Sequence, residues 1–142
     1  MCCKRSWFMP LNEENAMYTL RLQKAFNAHH YLIGGDWGSE NQPHAHPYRV
    51  EIRLTAGELD AHGYLVVLEV LEAILDACVG HYRDRLLNDL PEFLETNPSI
   101  EHLANRFCEC FLQRLGGHRF SAVEIRIWED EMAWASYRKT FP

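Results

Sequence analysis

His44-Ala45-His46-Pro47-Tyr48-Arg49-Val50-Glu51-Ile52-Arg53-Leu54 is the stretch on which the reading of the fold turns. Tyr48, Val50, Ile52 and Leu54 alternate with Arg49, Glu51 and Arg53, the period-2 pattern of a strand with one face on a core. A strand is therefore expected over Tyr48 to Leu54. His44 and His46 share the apolar parity, so both imidazoles belong to the core-facing side. Pro47 has no amide proton to give to a ladder, which predicts an edge or a break in regular pairing at this end. A second alternating run, Tyr18, Leu20, Leu22, Phe26 and Ala28, gives a strand over about Tyr18 to Ala28, with His30 in phase beyond it. Three imidazoles from neighbouring strands make a three-nitrogen set with a position left open. That is the ligand count of a catalytic zinc, whereas structural zinc sites close with four protein ligands. A chance meeting of loop-capping histidines is the competing reading, and the shared phase favours zinc.

The rest of the chain supplies helices and two more strands. A glycine-rich loop, Gly34-Gly35-Asp36-Trp37-Gly38-Ser39-Glu40, joins the first two strands. After Gly63, Leu65, Leu68, Leu71, Ile74, Leu75 and Cys78 recur at helical spacing. Leu86-Leu87-Asn88-Asp89-Leu90-Pro91 reads as a helix exit and turn. Pro98-Ser99 opens a second helix, Pro suiting a first turn and Ser99 capping exposed amides. Its expected buried stripe is Leu103, Phe107, Cys110, Phe111 and Leu115, and Gly116-Gly117 ends it. A third strand, Ser121 to Trp128, puts Val123, Ile125 and Ile127 on one face, and a last strand covers Ala133 to Tyr137. Strand, strand, helix, helix, strand, strand indicates an α+β domain, with helices packed on one face of an antiparallel sheet.

Composition narrows the function classes. At 142 residues the chain fits one domain with room for a core, expected over residues 17–142. Met1 to Ala16 shows no period and reads as a loosely ordered extension or a product of start-codon choice. A net charge of -6 without a Lys/Arg cluster argues against a nucleic-acid partner. No apolar stretch is long enough for a membrane span, and Met1-Cys2-Cys3-Lys4-Arg5 lacks the apolar core of a signal peptide. The five cysteines (Cys2, Cys3, Cys78, Cys108 and Cys110) have no zinc-knuckle spacing and read as reduced thiols of a cytoplasmic protein.

Other residues carry two readings each. Glu129 has core-facing parity at the end of an apolar strand, where a buried carboxylate needs donors; the 2-amino and N3 edge of a pterin would present two. Against that, Glu129-Asp130-Glu131 reads as a solvated acidic turn, and spacing alone favours the turn. Glu40, four residues before His44, is either a base beside zinc or a surface glutamate. Lys24 either meets an anionic substrate group or packs its stem with its head in solvent, the latter being the commoner arrangement. His29, His62, His81, His102 and His118 have no partner in phase, so surface or capping roles are the default. Trp128 and Trp134 read as core or interface fillers.

The ordered set Phe26-x-Ala28-x-His30, His44-x-His46-x-Tyr48, Leu87-Asn88, Pro98-Ser99-x-Glu101-x-x-Ala104 and Trp128-Glu129 resembles the 6-pyruvoyl-tetrahydropterin synthase and 6-carboxytetrahydropterin synthase (queuosine pathway) family, across Tyr18 to Tyr137. The resemblance implies a tunnelling fold (T-fold): a four-stranded antiparallel sheet with two helices on one face. Subunits of that fold join their sheets into a barrel, usually a homohexamer of two trimers. It implies zinc held by His30, His44 and His46, and a pterin ring anchored by Glu129. Ser99 and Glu101 match a Pro-Thr-x-Glu-Asn segment on the substrate side, with Ser99 in place of threonine and His102 in place of asparagine. Three departures stand out. Glu40 occupies the place of the usual cysteine, Arg83 and Asp84 replace an Asp-His relay pair, and Val67-Leu68 replaces an Asp-Phe pair. A branch of the family that resembles a hydroxymethyl-dihydropterin-forming lyase has glutamate in place of that cysteine, though it normally retains the Asp-His pair.

The implied function is a zinc-dependent lyase acting on the side chain of dihydroneopterin triphosphate or a similar reduced pterin. Zinc would stabilise a developing oxyanion, with Glu40 as the base and Asp84 or His81 as the acid. Two alternatives remain: a non-catalytic pterin-binding T-fold protein, favoured by loss of the relay, and a structural zinc module, disfavoured by the missing fourth ligand.

Overall fold

The computed structural model describes residues 16–117 and 119–142; the expected extension up to residue 15, with Cys2 and Cys3, and His118 lie outside the described residues. Strands β1 (Tyr18–His30), β2 (His44–Ala56), β3 (Ala122–Trp128) and β4 (Trp134–Thr140) form one sheet in the order β1-β2-β3-β4, antiparallel throughout. Helices α1 (Leu68–Tyr82) and α2 (Ile100–Leu115) fill the long connection between β2 and β3. The α+β architecture is thus the expected one. No helix among the described residues is long and apolar enough to cross a membrane.

The even-numbered residues of β1 and β2 build the sheet's share of the core: Phe26, Ala28, Tyr48, Val50, Ile52 and Leu54 are all buried. Val123, Ile125 and Ile127 continue that face on β3. Helix α2 packs across β3 and β4, while α1 covers β1. Phe107 ties the layers together, stacking on Phe26 at 6.5 Å and on Tyr82 at 5.6 Å between ring centroids. Burying such side chains supplies roughly 2 kcal/mol each, the main term holding helices to sheet.

Several boundaries differ from the expectation. Strand β1 runs two residues past Ala28 and β2 starts at His44, because the ladder continues to the pair His30↔His44. Pro47 is paired, opposite Asn27, but β3 stops opposite Arg49, so Pro47 meets no strand on its other side. Its missing amide proton therefore costs no ladder bond there. Strand β4 extends to Thr140. The buried stripe of α2 is Leu103, Ala104, Phe107, Cys108 and Phe111; Cys110 and Leu115 are only partly buried. Small Ala104 and Cys108 sit where the helix approaches the sheet, which turns Cys110 toward α1.

The opposite face of the sheet holds an unexpected element. Glu51, whose parity points to solvent, is fully buried. It accepts hydrogen bonds from Arg21 (3.1 Å), Gln23 (2.9 Å) and Arg53 (2.6 Å), whose side chains close over it. Burial would raise its pKa, but these bonds and the charges of Arg53 and Arg21 hold the carboxyl below its ordinary value.

Candidate metal centre

His30 stands directly opposite His44 in the β1–β2 register, and Ala28 opposite His46. Side chains opposite and diagonal across a ladder come within reach of each other. The three rings form a near-equilateral triangle, with centroid separations of 4.6, 4.7 and 4.7 Å, and their ligand nitrogens lie within 4.8 Å of one another. His30 is buried, while His44 and His46 are half-buried.

Hydrogen bonds decide which nitrogen each ring offers. His30 donates its Nδ1–H to the Pro98 carbonyl at 2.9 Å, and Tyr48 Oη lies 3.2 Å from the same nitrogen. His44 donates Nδ1–H to the Gln42 carbonyl at 2.8 Å. A carbonyl can only accept, so both rings keep a bare Nε2. The Nε2 atoms of His44 and His46 are buried with no hydrogen-bond partner. Buried nitrogens without a partner are rare in folded proteins and ask for a missing one. A cation bound by neutral imidazole is such a partner, and ligating histidines commonly engage their other nitrogen in this way. Burial, above all, lowers the pKa of His30; the Pro98 bond opposes this, and the neighbouring His46 and His44 add to it. Burial and His44 likewise lower that of His46. The neutral ligand form is thereby favoured, and the donor set fits a three-histidine zinc site with an open position.

Glu129 joins this cluster. Its Oε1 lies 3.1 Å from His46 Nε2 and 3.8 Å from His30 Nε2, without an aligned hydrogen bond to His46. Burial raises its pKa; the charge of His30 opposes this, whereas Glu40 and Asp130 reinforce it. The two readings of this segment coexist. Asp130 Oδ1 accepts from the amides of Met132 (2.7 Å) and Ala133 (2.8 Å), forming an acidic turn, while Glu129 keeps strand parity and points back to the histidines.

Glu40 rides on a short 3-10 turn, Gly38–Asn41. Its charge acts on both His46 and Glu129. Asn41 braces this loop: its amide donates to the carbonyls of Leu32 (2.9 Å) and Gly35 (3.0 Å), and its Oδ1 accepts from Trp37 N at 2.8 Å. Leu32 N donates to Glu40 O at 2.8 Å. The Trp37 ring packs over Gly35, where a Cβ would lie 2.7 Å from it and displace the ring.

Other residues singled out from the sequence stand elsewhere. Ser99 caps α2, accepting from His102 N at 3.2 Å, and Glu101 is exposed in its first turn. Helix α2 nonetheless touches the cluster through the Pro98 carbonyl. His81 is not at the cluster: its Nε2 lies 2.6 Å from Glu92 Oε1. Asp84 takes a left-handed conformation (φ 59°) and lines a cleft of about 470 Å³ with Arg49, Arg83 and Trp128, a cleft that also reaches Tyr48 and Asp130. By parity, Arg49 and Trp128 face away from the histidines. Lys24 pairs with Asp76 of α1, so its head meets a carboxylate of the same chain. Trp128 and Trp134 are stacked on by Arg49 and Arg126 on the charged face, not in the core. Tyr48, Asn41 and the Pro98 carbonyl escaped sequence reading. Only Tyr48 had a signal, its shared parity with the histidines. Asn88 is a further structural support, clamping Tyr31 beside His30 through both amide atoms (3.0 and 2.9 Å).

The family model described as 6-pyruvoyl tetrahydropterin synthase matches residues 19–140. Among solved structures, the chain is similar to the 6-pyruvoyl tetrahydropterin synthase of Caenorhabditis elegans, with 22% identity, 88% of this chain and 97% of that one covered, and a TM-score of 0.75. The Plasmodium falciparum 6-pyruvoyl tetrahydropterin synthase follows at 14% identity, 89% and 100% coverage, and a TM-score of 0.73. A Plasmodium vivax 6-pyruvoyltetrahydropterin synthase with a catalytic glutamate replaced by alanine matches at 13% identity, 89% and 100% coverage, and a TM-score of 0.66. At these identities the structures speak to the fold. No curated protein matches the chain.

Proposed function

Because the chain belongs to the 6-pyruvoyl tetrahydropterin synthase family, we propose that it is a zinc-dependent lyase acting on the side chain of a reduced pterin such as 7,8-dihydroneopterin triphosphate. The observation that carries this reading is the convergence of unpartnered histidine nitrogens beside the half-buried carboxylate of Glu129. His30, His44 and His46 hold the metal, oriented by the Pro98 and Gln42 carbonyls. When bound, zinc supplies Lewis-acid stabilisation of negative charge on a side-chain oxygen of the substrate.

The chain's own residues do the rest. Glu129 accepts hydrogen bonds from the pterin 2-amino group and N3–H, fixing the ring so that its side chain reaches the histidine triangle. Glu40 takes a proton from the side-chain carbon or hydroxyl. The Plasmodium vivax protein, in which a glutamate is a catalytic residue, supports a carboxylate in that role. Glu40 as base also suits the hydroxymethyl-dihydropterin-forming branch. Ser99 and Glu101 contribute at the substrate end of α2. Asp84 or His81 serves as the acid in this reading, Asp84 from a cleft that also reaches Tyr48 and Asp130 and His81 only on release from Glu92. Apart from the bridge of His29 to Leu86 at the end of β1, the outer edges of β1 and β4 have no strand partner among the described residues. Open edges suit joining of sheets in a homo-oligomer, which we take to be a hexamer of two trimers. We further take residues 17–142 as the T-fold domain, residues 1–16 as an extension, and the cytoplasm as its location, consistent with the free thiols of Cys78, Cys108 and Cys110.

The competing reading, a pterin-binding protein without turnover, draws on the replacement of the relay pair by Arg83 and Asp84 and on the engagement of His81 by Glu92. Incubating the zinc-loaded protein with dihydroneopterin triphosphate and identifying products by mass spectrometry separates the two. Release of a shortened or rearranged pterin side chain is expected. Tight binding without turnover, abolished by Glu129→Ala, would overturn the enzyme reading, and a metal-replete preparation without zinc would overturn both.

A further inference from the structure

Helices α1 and α2 run antiparallel, and their contact is marked by the stacked rings of Tyr82 and Phe107. One turn back along α1 from Tyr82 is Cys78; one turn forward along α2 from Phe107 are Cys110 and Phe111. The seam therefore brings the two thiols together, with Cys78 placed to donate to Cys110. Their surroundings are unequal. Cys78 is fully buried, whereas Cys110 lines a cleft of about 290 Å³ open to solvent, together with Arg114, Arg106 and His81. Arg114, one turn beyond Cys110, lines the same cleft and favours the charged form of its sulfur. Glu92 and Glu109 also line the cleft; Glu92 is engaged by His81 and Glu109 by Arg106.

We propose that Cys110 and Cys78 form a hydroperoxide-reactive dithiol, with Cys110 the attacking sulfur and Cys78 the resolving one, closing to a disulfide that staples α1 to α2. The chemistry follows from the asymmetry. The hydrogen bond from Cys78 holds the Cys110 thiol down at about 6; burial opposes that, and the hydrogen bond and charge of Arg114 add to it. The same pairing, with burial, pushes the Cys78 thiol up. The charged form is therefore favoured on Cys110, which faces the cleft beside Arg114, and disfavoured on the buried Cys78. The Cys110 thiolate attacks the outer oxygen of the hydroperoxide and breaks the O–O bond. This gives a sulfenic acid and an alkoxide (hydroxide from hydrogen peroxide), which is protonated to the alcohol or water. Cys78 sulfur then attacks Cys110 Sγ, breaks the S–O bond and releases water. In sum, two thiols and one hydroperoxide give a disulfide, an alcohol and water, a two-electron oxidation of the sulfurs. Cys78 needs no solvent access, since its target is the sulfur it already touches. Cys108 faces the sheet and is pushed up to about 11 by burial, so it is an internal unreactive control.

The test uses the full chain, reduced and then treated with hydrogen peroxide at pH 7, followed by non-reducing peptide mapping. A Cys78–Cys110 cross-linked peptide is expected. Cys78→Ala should instead accumulate a Cys110 sulfenic acid trapped by dimedone, and Cys110→Ser should leave Cys78 unmodified. On the untreated wild-type protein, iodoacetamide should label Cys110 about two- to threefold faster at pH 7 than a cysteine of ordinary pKa, the larger thiolate fraction being partly offset by the lower nucleophilicity of a low-pKa thiolate. Labelling of Cys110 no faster than the cysteines of the unfolded chain would overturn the proposal. So would peroxide oxidation that leaves Cys78 unpaired or links Cys110 elsewhere.

Discussion

His30 gives its Nδ1–H to the Pro98 carbonyl across 2.9 Å, which both aims its Nε2 at the other histidines and fastens the start of α2 to the cluster. Tyr48 Oη, 3.2 Å from the same nitrogen, is the second group holding this ring. Partners of this kind tune metal affinity without touching the metal. Tyr48→Phe should weaken zinc binding about tenfold, the lower end of the usual range because the Pro98 bond survives. Competition against a chromogenic chelator measures this, with circular dichroism showing an unchanged fold. An unchanged affinity would count against His30 as a ligand oriented from Nδ1.

Glu129 separates ring anchoring from metal binding. Its carboxylate lies beside the histidines, yet the three imidazoles make the ligand set without it. Glu129→Gln keeps the shape and removes the negative acceptor that two pterin donors require. Loss of charge-assisted hydrogen bonds worth about 1.5–3 kcal/mol each should weaken pterin binding at least tenfold, and by a hundredfold or more if both are lost. Zinc content should stay at the wild-type level. Fluorescence titration and elemental analysis of the same preparation read the two effects, and joint loss of metal and pterin would reassign Glu129 to the metal.

Asn41 makes three hydrogen bonds within the loop that presents Glu40 and touches no histidine. If Glu40 is the base, Glu40→Gln should lower kcat by about 10²–10⁴. Asn41→Ala should lower kcat about tenfold through misplacement, with a smaller change in KM. Asn41→Ser, which retains a polar group, should recover part of the loss. Equal kcat for wild type and Glu40→Gln would remove Glu40 from the reaction.

The fold and the triangle of histidines were legible for one physical reason: strand parity is a strict period, so His30, His44 and His46 declare their face from numbering alone. Register across the ladder is also constrained, because a slip by one residue would turn Val50, Ile52 and Leu54 out of the core. What stayed hidden depends on contacts between segments far apart in the chain. Pro98 meets His30 through a backbone carbonyl, which has no sequence signature. His81 and Asp84 sit close to the expected relay position in sequence, but the end of α1 turns the first toward Glu92 and the second into a left-handed turn. Glu51 misled by parity, since arginine side chains long enough to fold back can bury an outward-facing carboxylate.

Glu51 also yields a pH dependence. Its folded pKa is lower than its unfolded value, so its contribution to stability is complete above the ordinary glutamate range and is lost as pH falls through the lower folded value. Glu51→Gln leaves Arg21, Arg53 and the neighbouring Arg126 without their buried counter-charge. The cost at pH 7 should be about 2–3 kcal/mol, below the full penalty for breaking a buried pair because Arg21 is largely exposed and screened. In urea titrations the gap between wild type and Glu51→Gln should be widest at neutral pH and narrow below about pH 4, as protonation removes the charge from the wild-type side chain. A gap that is constant from neutral pH down to about pH 3 would mean that Glu51 acts by packing and neutral hydrogen bonds, and that its charge does not hold the arginine-rich face together.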